Sequence, residues 1–370
     1  MKNTKITIKT KSKSYPIYLG DGIINLTGTL ISKKLKNTKK ICVICDKNLP
    51  PLLLKKLIKS IKKYNHKIYM LPAGEKTKNF QVAQKLIESL LKHNLSRSDC
   101  IIALGGGVIL DLTAFVASLT KRGIKLINIP TTLLAQVDAS IGGKTAINSN
   151  QGKNLIGTFY QPDFVLIDIS FLNSLPRREM VCGYGEILKH SLILNKKFFL
   201  WLTKNASKII NYKDKKLLKI AIIESCKIKS HIVSRDEKED GLRKILNFGH
   251  TFAHGFEGAK NFSKKLNHGE AVLLGMMMAI EFAFKKKLLS QKDLILIKKH
   301  YINLNFPISL KKIFKKNEIN KIISFMEKDK KNLGIKINLI LIKKIGKVIN
   351  PNNTNIKREE LKKFFKSNYI

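Results

Sequence analysis

The sequence contains no long hydrophobic run. No segment approaches the roughly 18 consecutive apolar residues that a membrane helix requires, and the opening MKNTKITIKTKSKSYPIYLG lacks the apolar core of a secretory signal. We therefore expect a soluble, cytoplasmic protein without a membrane partner.

Acidic residues are scarce, since 26 Asp and Glu stand against 70 Lys and Arg and give a formal net charge of +44. A basic excess of this size can bind nucleic acids through counterion release. However, the excess is almost all lysine and is spread over nearly every segment, without a basic arm or interleaved aromatic residues. We attribute it to compositional drift and expect no specific nucleic-acid partner. A nonenzymatic polyanion-binding protein is kept as an alternative.

Cysteines are few, odd in number and mostly far apart, which favours a reducing compartment over a disulfide framework. Cys42 and Cys45 form a C-x-x-C in KKICVICDK. This segment has the pattern of a buried strand, in which residues three apart point to opposite faces. A metal or redox role for this pair is therefore disfavoured.

The first half of the chain alternates strand-like and helix-like segments. The strand-like segments are KKICVIC, HKIYML, DCIIALGGG and IKLINIP, and the helix-like ones are 50–63, 79–93 and 108–119. Strands that alternate with helices predict a Rossmann-like, doubly wound parallel sheet. With 370 residues the chain is long enough for a second domain.

The second half has long amphipathic stretches at 183–204, 214–234 and 269–287. They predict a mainly α-helical domain, so we expect an α/β domain at 1–177 and a helical domain at 178–370. INLILIKKIGKVI predicts a hairpin around Lys343 to Gly346, and 355–370 predicts a basic surface helix.

A glycine-rich turn, Gly105 to Gly107, follows the strand CIIALGGG and begins a helix. Read as G-x-G-x-x-G, it lacks the third glycine because Leu110 stands there, so it fits a nucleotide loop or a mere tight turn. Its position after a parallel strand favours the nucleotide. Two polar stretches, 71–79 and 129–154, also follow strands, and together they predict an anion-binding cleft.

Three of the eight histidines, His250, His254 and His268, lie close together in the sequence. A helix would place His250 and His254 on one face, but the Glu that an HExxH protease needs is replaced by Thr251. A metal site requires a further ligand, and Glu186 in CGYGEILKH is the best candidate carboxylate. The spacing leaves open which two histidines bind the metal.

The motifs PAGEKTK, GGGVILDLTAFVA, IPTTLLAQVDASIGGKTAIN, GKNLIGTFYQP, LPRREMVCGYGEILKH, DEKEDGLRKILNFGHTFAHGFE, LNHGEAVLLGM and EKDKKN occur in this order. Over residues 70–335 the chain thus resembles the 3-dehydroquinate synthases of the sugar phosphate cyclase superfamily. These lyases of the shikimate route convert 3-deoxy-D-arabino-heptulosonate 7-phosphate to 3-dehydroquinate and phosphate, with NAD and zinc or cobalt.

The resemblance implies roles for individual residues. It makes Glu186, His250 and His268 the metal ligands and places His254 near the substrate phosphate. Arg122 matches an arginine that reaches a neighbouring subunit's site, which implies a homodimer. The other implied substrate or catalytic residues are Lys144, Asn154, Lys189, Lys229, Arg243, Asn247 and either Lys330 or Lys331.

The resemblance also implies an NAD site along the ends of the strands. The expected contacts are Asp46, Ala73, Gly74, Glu75, Lys76, Thr77, Lys78, Gly107, Val108, Ile109, Leu110, Asp111, Thr131, Thr132, Asp138, Lys144, Lys153, Phe171, Leu172, Asn173 and Ser174.

The implied chemistry is a transient oxidation of a substrate hydroxyl, elimination of phosphate, return of the hydride and an intramolecular aldol closure. The chain departs from the usual family residues at Leu110, Gly185 and the KHS at 189–191. Two enzyme alternatives are another sugar phosphate cyclase and a metal-dependent alcohol dehydrogenase.

Overall fold

A computed structural model of the chain describes residues 3–263, 265–327 and 337–368, so the expected substrate residues Lys330 and Lys331 lie outside the described residues. The chain forms two compact units. The first contains Met1–Pro176 and Lys229–Glu237, and the second contains Arg177–Ile228 and Lys238–Ile370. The sequence prediction divided the chain once, after residue 177, and placed 229–237 in the helical domain.

The first unit is built on a seven-stranded sheet. Its strands are β1 Thr4–Lys9, β2 Ser14–Gly20, β3 Lys40–Asp46, β4 Asn65–Leu71, β5 Cys100–Gly105, β6 Lys125–Pro130 and β9 Phe164–Asp168. Their order across the sheet is β1-β2-β9-β6-β5-β3-β4. A separate hairpin pairs β7 Ile147–Ser149 with β8 Gly152–Ile156. All neighbours in the large sheet are parallel except β1 and β2, which confirms the predicted parallel sheet.

Helices of the first unit alternate with the strands. They are α1 Thr27–Lys34, α2 Pro51–Ser60, α3 Phe80–Lys92 and α4 Gly107–Leu119. Asn79 caps α3, because its side chain accepts a 2.9 Å hydrogen bond from the backbone N–H of Val82. The predicted alternation of strands and helices in this half is confirmed.

Two hydrophobic clusters cover the two faces of this sheet, as a doubly wound sheet requires. Cys42 belongs to one cluster and Cys45 to the other, so the two thiols point to opposite faces. Burial raises the pKa of Cys42 to about 12 and that of Cys45 to about 11. All five cysteines are buried and form no disulfide among the described residues, which makes the C-x-x-C part of the core.

The second unit is mainly helical. Its helices are α5 Arg177–Leu194, α6 Lys196–Ile210, α7 Lys215–Arg235, α8 His250–Ala259, α9 His268–Lys285, α10 Gln291–Asn303, α11 Ile319–Glu327 and α12 Arg358–Asn368, of which the end of α7 groups with the first unit. Its short strands are β10 Ile337–Asn338, β11 Ile342–Lys344, β12 Lys347–Val348 and β13 Asn355–Ile356. β11 pairs antiparallel with β12, which confirms the predicted hairpin.

The structure adds a detail to one predicted stretch of this half and shows another prediction to be wrong in part. The stretch 183–204 is two helices, since Asn195 ends α5 and caps α6 by accepting a 3.0 Å hydrogen bond from the Phe198 N–H. The terminal helix is not purely a surface helix. Phe365 is fully buried, and Phe364 packs with ring centroids 5.1 Å from Phe282. No helix among the described residues is both long and apolar enough to span a membrane.

Candidate functional site

Three potential metal ligands come together in the helical unit. Glu186 lies in the middle of α5, His250 is the first residue of α8 and His268 is the first residue of α9. One donor atom from each lies within 4.8 Å of the others. Oε1 of Glu186 is 3.8 Å from Nε2 of His250, and the rings of His250 and His268 have centroids 5.5 Å apart.

The donor set fits a divalent metal ion. One carboxylate and two imidazoles on separate helices are the three protein ligands typical of a catalytic zinc site, which keeps a further position open. Glu186 is only 2% exposed, and a carboxylate buried to this degree requires a cation. Lys189, one turn further along α5, forms an ion pair with it. These residues could therefore hold a zinc or cobalt ion.

A hydrogen-bond network stabilises the N-terminus of α9, where His268 lies. Asn267 and Glu270 form a capping box, in which each side chain accepts a hydrogen bond from the other's backbone N–H. Arg178 on α5 holds both carboxylate oxygens of Glu270 at 2.7 Å. Burial alone would raise the pKa of Glu270, but the hydrogen bonds from Arg178 and Asn267 outweigh it and lower the pKa.

The ring nitrogens of the two candidate ligands have different acceptors. Nδ1 of His268 lies 3.1 Å from Oε2 of Glu257, which is nearly buried on α8. Nδ1 of His250 lies 3.3 Å from the carbonyl of Phe248. The sequence reasoning missed Glu257, although its spacing of seven residues from His250 places both on one helix face.

His254 lies beside the three potential ligands. Its ring centroid is 5.9 Å from that of His250 and 6.5 Å from that of His268. Among the described residues, the donor atoms of Glu186, His250 and His268 lie within 4.8 Å of one another, and His254 does not belong to this group. The assignment of His254 to the substrate stays a prediction.

Arg243 and Asn247 lie in a 3₁₀ turn, Leu242–Asn247, that precedes α8. Arg243 is 2% exposed, which is unusual for a guanidinium. Asn247 donates a 2.7 Å hydrogen bond to Oε1 of Glu239, another residue that the sequence reasoning did not identify. The same unit thus holds the ligand group and several of the expected substrate residues.

In the α/β unit the expected NAD contacts cluster after the parallel strands. Asp46 ends β3, Gly107 begins α4 after β5, and Thr131 and Thr132 follow β6. The N-terminus of α4 therefore presents free backbone amides at the carboxyl edge of the sheet, where dinucleotide phosphates bind in such folds. Leu110 is 1% exposed and belongs to a core cluster, so its side chain points into the core.

Lys78 forms hydrogen bonds with two segments near the carboxyl edge of the sheet. Its Nζ lies 2.5 Å from Oδ2 of Asp111 on α4 and 2.6 Å from Oδ1 of Asn154. Burial raises the pKa of Asp111, and the Lys78 charge partly offsets that rise. Glu75 accepts a 3.1 Å hydrogen bond from the Asn148 side chain, so the 71–79 stretch is tied to the 129–154 stretch.

Asp138, on a π-helical turn at Ala135–Ala139, forms an ion pair with Lys229 of α7. Lys229 also donates a 2.6 Å hydrogen bond to the Asp138 carbonyl. Lys144 and Arg122 are exposed, and Lys153 is half-buried. Three of the expected substrate or cofactor cations are thus at least partly exposed.

The remaining expected NAD residues differ in exposure. Ala73, Gly74, Lys76, Asn173 and Ser174 are exposed, and Val108 is half-buried. Four are buried: Thr77, Ile109, Phe171 and Leu172. The Phe171 side chain packs in the core, and the Thr77 hydroxyl donates a 2.7 Å hydrogen bond to the Pro72 carbonyl. The side chains of Phe171 and Thr77 therefore contribute to the stability of the fold.

The architecture has counterparts among solved structures. A crystal structure of 2-deoxy-scyllo-inosose synthase complexed with carbaglucose-6-phosphate, NAD⁺ and Co²⁺ matches with a TM-score of 0.85 at 26% identity, covering 99% of this chain and 100% of that one. Glycerol dehydrogenase from Schizosaccharomyces pombe matches with a TM-score of 0.69 at 16% identity, covering 100% of this chain and 92% of that one. The second likeness shows the fold alone. The fold class is that of the dehydroquinate synthase-like sugar phosphate cyclases.

The sequence comparisons are more specific. Family models described as 3-dehydroquinate synthase N-terminal and C-terminal match residues 68–182 and 183–332. A 3-dehydroquinate synthase of Pelagibacter ubique is 49% identical over 342 residues, which are 92% of this chain and 93% of that protein. The chain belongs to the 3-dehydroquinate synthase family, which confirms the resemblance inferred from its motifs.

Proposed function

We propose that this protein converts 3-deoxy-D-arabino-heptulosonate 7-phosphate to 3-dehydroquinate and phosphate, using NAD and one divalent metal ion. The observation that carries the proposal is the convergence of Glu186, His250 and His268 in a member of this family. When bound, NAD supplies a transient hydride acceptor, and the metal ion polarises a substrate hydroxyl.

The residues of the chain bind and orient the substrate. The substrate has a phosphate and a carboxylate, so its site needs several cations. We assign the carboxylate end to Arg243, Lys189 and Lys229, and the phosphate end to Lys144, Asn154 and His254. No separate carboxylate base is assigned, because the departing phosphate can itself accept the proton that is removed with it.

We assign NAD to the carboxyl edge of the α/β sheet. Backbone amides at the start of α4 would receive the pyrophosphate, because free N–H groups and the helix dipole favour an anion there. Lys78 and Asp111 form a polar cluster beside this helix start. We assign Asp46, at the end of β3, the role of accepting a hydrogen bond from a ribose hydroxyl.

A turnover assay tests the proposal. Purified protein supplied with the heptulosonate phosphate, Zn²⁺ or Co²⁺ and substoichiometric NAD should release phosphate and form dehydroquinate without accumulating NADH. Stoichiometric NADH would indicate an alcohol dehydrogenase instead. Turnover of a hexose 6-phosphate, which has no carboxylate, would indicate another sugar phosphate cyclase. Metal and NAD binding without any turnover would contradict the proposal.

We also propose a homodimer in which Arg122 serves the partner's site. Arg122 is exposed beside Lys13, Arg97 and Lys125, which together line a basic surface pocket. Exposed apolar side chains on the following hairpin and loop, Leu155, Ile156 and Phe159, offer apolar surface to a second copy.

Mixed dimers test the role of Arg122 in the partner's site. Arg122→Ala and His250→Ala should each be inactive, whereas dimers reassembled from both variants should regain about a quarter of wild-type turnover. Half of random dimers are mixed, and each contains one complete site. A monomer in sedimentation analysis, or mixtures that stay inactive, would contradict this assignment.

A further inference from the structure

Glu257 lies on the same face of α8 as two of the clustered histidines. Residues 250, 254 and 257 are spaced i, i+4 and i+7, so their side chains form one row along the helix. Oε2 of Glu257 is 3.1 Å from Nδ1 of His268, the first residue of the next helix. Glu257 is only 5% exposed, whereas the His268 side chain is 39% exposed. A nearly buried carboxylate is thus aimed at a candidate metal ligand.

A neutral imidazole has one N–H and one nitrogen lone pair. The partner of the N–H decides which nitrogen is left to bind a metal. A carboxylate at Nδ1 favours the proton on that nitrogen and leaves the lone pair on Nε2. A hydrogen bond from Nδ1 to the carboxylate also restricts rotation of the imidazole ring about its bond to Cβ.

We propose that Glu257 is a positioning residue for His268, which holds the Nδ1 proton so that Nε2 is available to the metal ion. The inference deepens the proposed function and rests on its metal site. His250 differs because its Nδ1 faces a neutral backbone carbonyl, that of Phe248, at 3.3 Å. The Nδ1 contact of His268 can therefore be removed by substituting one side chain, that of Glu257.

Two substitutions of different severity test the role. Glu257→Ala removes the acceptor, whereas Glu257→Gln keeps the shape and an amide oxygen that can still accept from Nδ1. Glu281→Ala is the matched control, because Glu281 lies on the same helix as His268 and its partner is Lys298, at 2.6 Å. Zn²⁺ affinity is measured on the full chain by chelator competition, and the Co²⁺ visible absorption spectrum reports the ligand field.

We expect Glu257→Ala to weaken Zn²⁺ binding about 10- to 100-fold, as loss of an outer partner of a metal-bound histidine usually does. Glu257→Gln should retain part of the affinity, and Glu281→Ala should match the wild type. The Co²⁺ spectrum should change in Glu257→Ala and stay unchanged in the control. Circular dichroism establishes that each variant is folded.

Wild-type Zn²⁺ affinity and an unchanged Co²⁺ spectrum in folded Glu257→Ala would overturn the inference and leave the proposed function intact. Equal losses in Glu257→Ala and Glu281→Ala would also overturn it, since the effect would then be one of general stability. A wild-type chain that binds no metal would overturn the proposed metal site and this inference together.

Discussion

Oε1 of Glu186 lies 3.8 Å from Nε2 of His250, although the two residues belong to different helices, α5 and α8. On this contact and the nearby His268 we base our assignment of the metal to His250 and His268 and of the substrate to His254. We expect Glu186→Gln, His250→Ala and His268→Ala each to bind less than one zinc ion per chain, because each substitution removes one of three protein ligands.

His254→Ala should keep the zinc and lose turnover, because its imidazole is assigned to the substrate phosphate. Metal analysis of the four purified variants, with turnover measured in parallel, checks both expectations. Equal loss of zinc in all three histidine variants would contradict the assignment and restore His254 as a ligand.

Lys78 is the cation that links the 71–79 stretch to α4, through its 2.5 Å contact with Asp111. We expect Lys78→Met to weaken NAD binding by about tenfold or more, as the loss of a charge-assisted hydrogen bond network does. Calorimetric titration with NAD measures the change. Lys85→Met, at an exposed position on α3, is the control and should bind NAD normally. Unchanged NAD affinity in folded Lys78→Met would remove Lys78 from the cofactor site.

Asp99 makes the stability of the α/β unit depend on pH. Burial alone would raise its pKa, but the backbone N–H groups of Ser96, Lys40 and Lys39 and the Ser96 hydroxyl donate to it. Its pKa therefore lies below the ordinary value of 3.8. A carboxyl with a depressed pKa in the folded state stabilises the protein above its unfolded pKa, and this contribution is lost as the pH falls through the folded pKa.

Asp99→Asn should therefore cost about 1–3 kcal/mol of unfolding free energy at neutral pH. The difference from the wild type should shrink as the pH falls below about 3.8. Urea unfolding over a pH series measures this, with the exposed Glu88→Gln as control. A cost that stays constant down to the lowest pH would show that the ionised form contributes nothing.

Strands β3 to β6 and helices α2 to α4 of the α/β unit could be predicted because each is encoded by local periodicity. The sequence patterns did not single out β1, β2, β9 and α1 of the same unit. Two features of the helical unit depend on more distant partners. The break at Asn195 depends on one capping side chain within an otherwise helical pattern. The buried face of α12 depends on Phe252 and Phe282, which come much earlier in the chain and meet Phe364 only in the fold.

The candidate metal site could likewise be predicted only in part from the sequence. Spacing within one helix pairs His250 with His254, and from the residues alone it could not rank His268 above either of them. The network that places His268 begins at Arg178 on α5, whose guanidinium holds Glu270 in the capping box of α9. Charges far apart in sequence carry no periodic signal, so this arrangement became visible only in three dimensions.

Gly185, one of the positions at which the resemblance implied a departure from the usual family residue, lies within α5, one residue before Glu186. A Cβ at this position would lie 3.4 Å from Cγ of Leu273 and 3.6 Å from the Gly269 carbonyl oxygen, which are ordinary contacts. Gly185→Ala should therefore stabilise the protein by about 0.5–1 kcal/mol, since alanine loses less conformational freedom in a helix.

Gly269→Ala, on α9, is expected to have the opposite effect on stability. Its Cβ would lie 2.3 Å from Cα of Cys182, so the backbones of α5 and α9 would have to separate. We expect a loss of about 1–3 kcal/mol, as for other overpacked interiors. Chemical denaturation of both variants measures the two changes. Destabilisation by Gly185→Ala would mean that the space beside Leu273 is too small for a methyl group, and the absence of alanine would then have a steric cause.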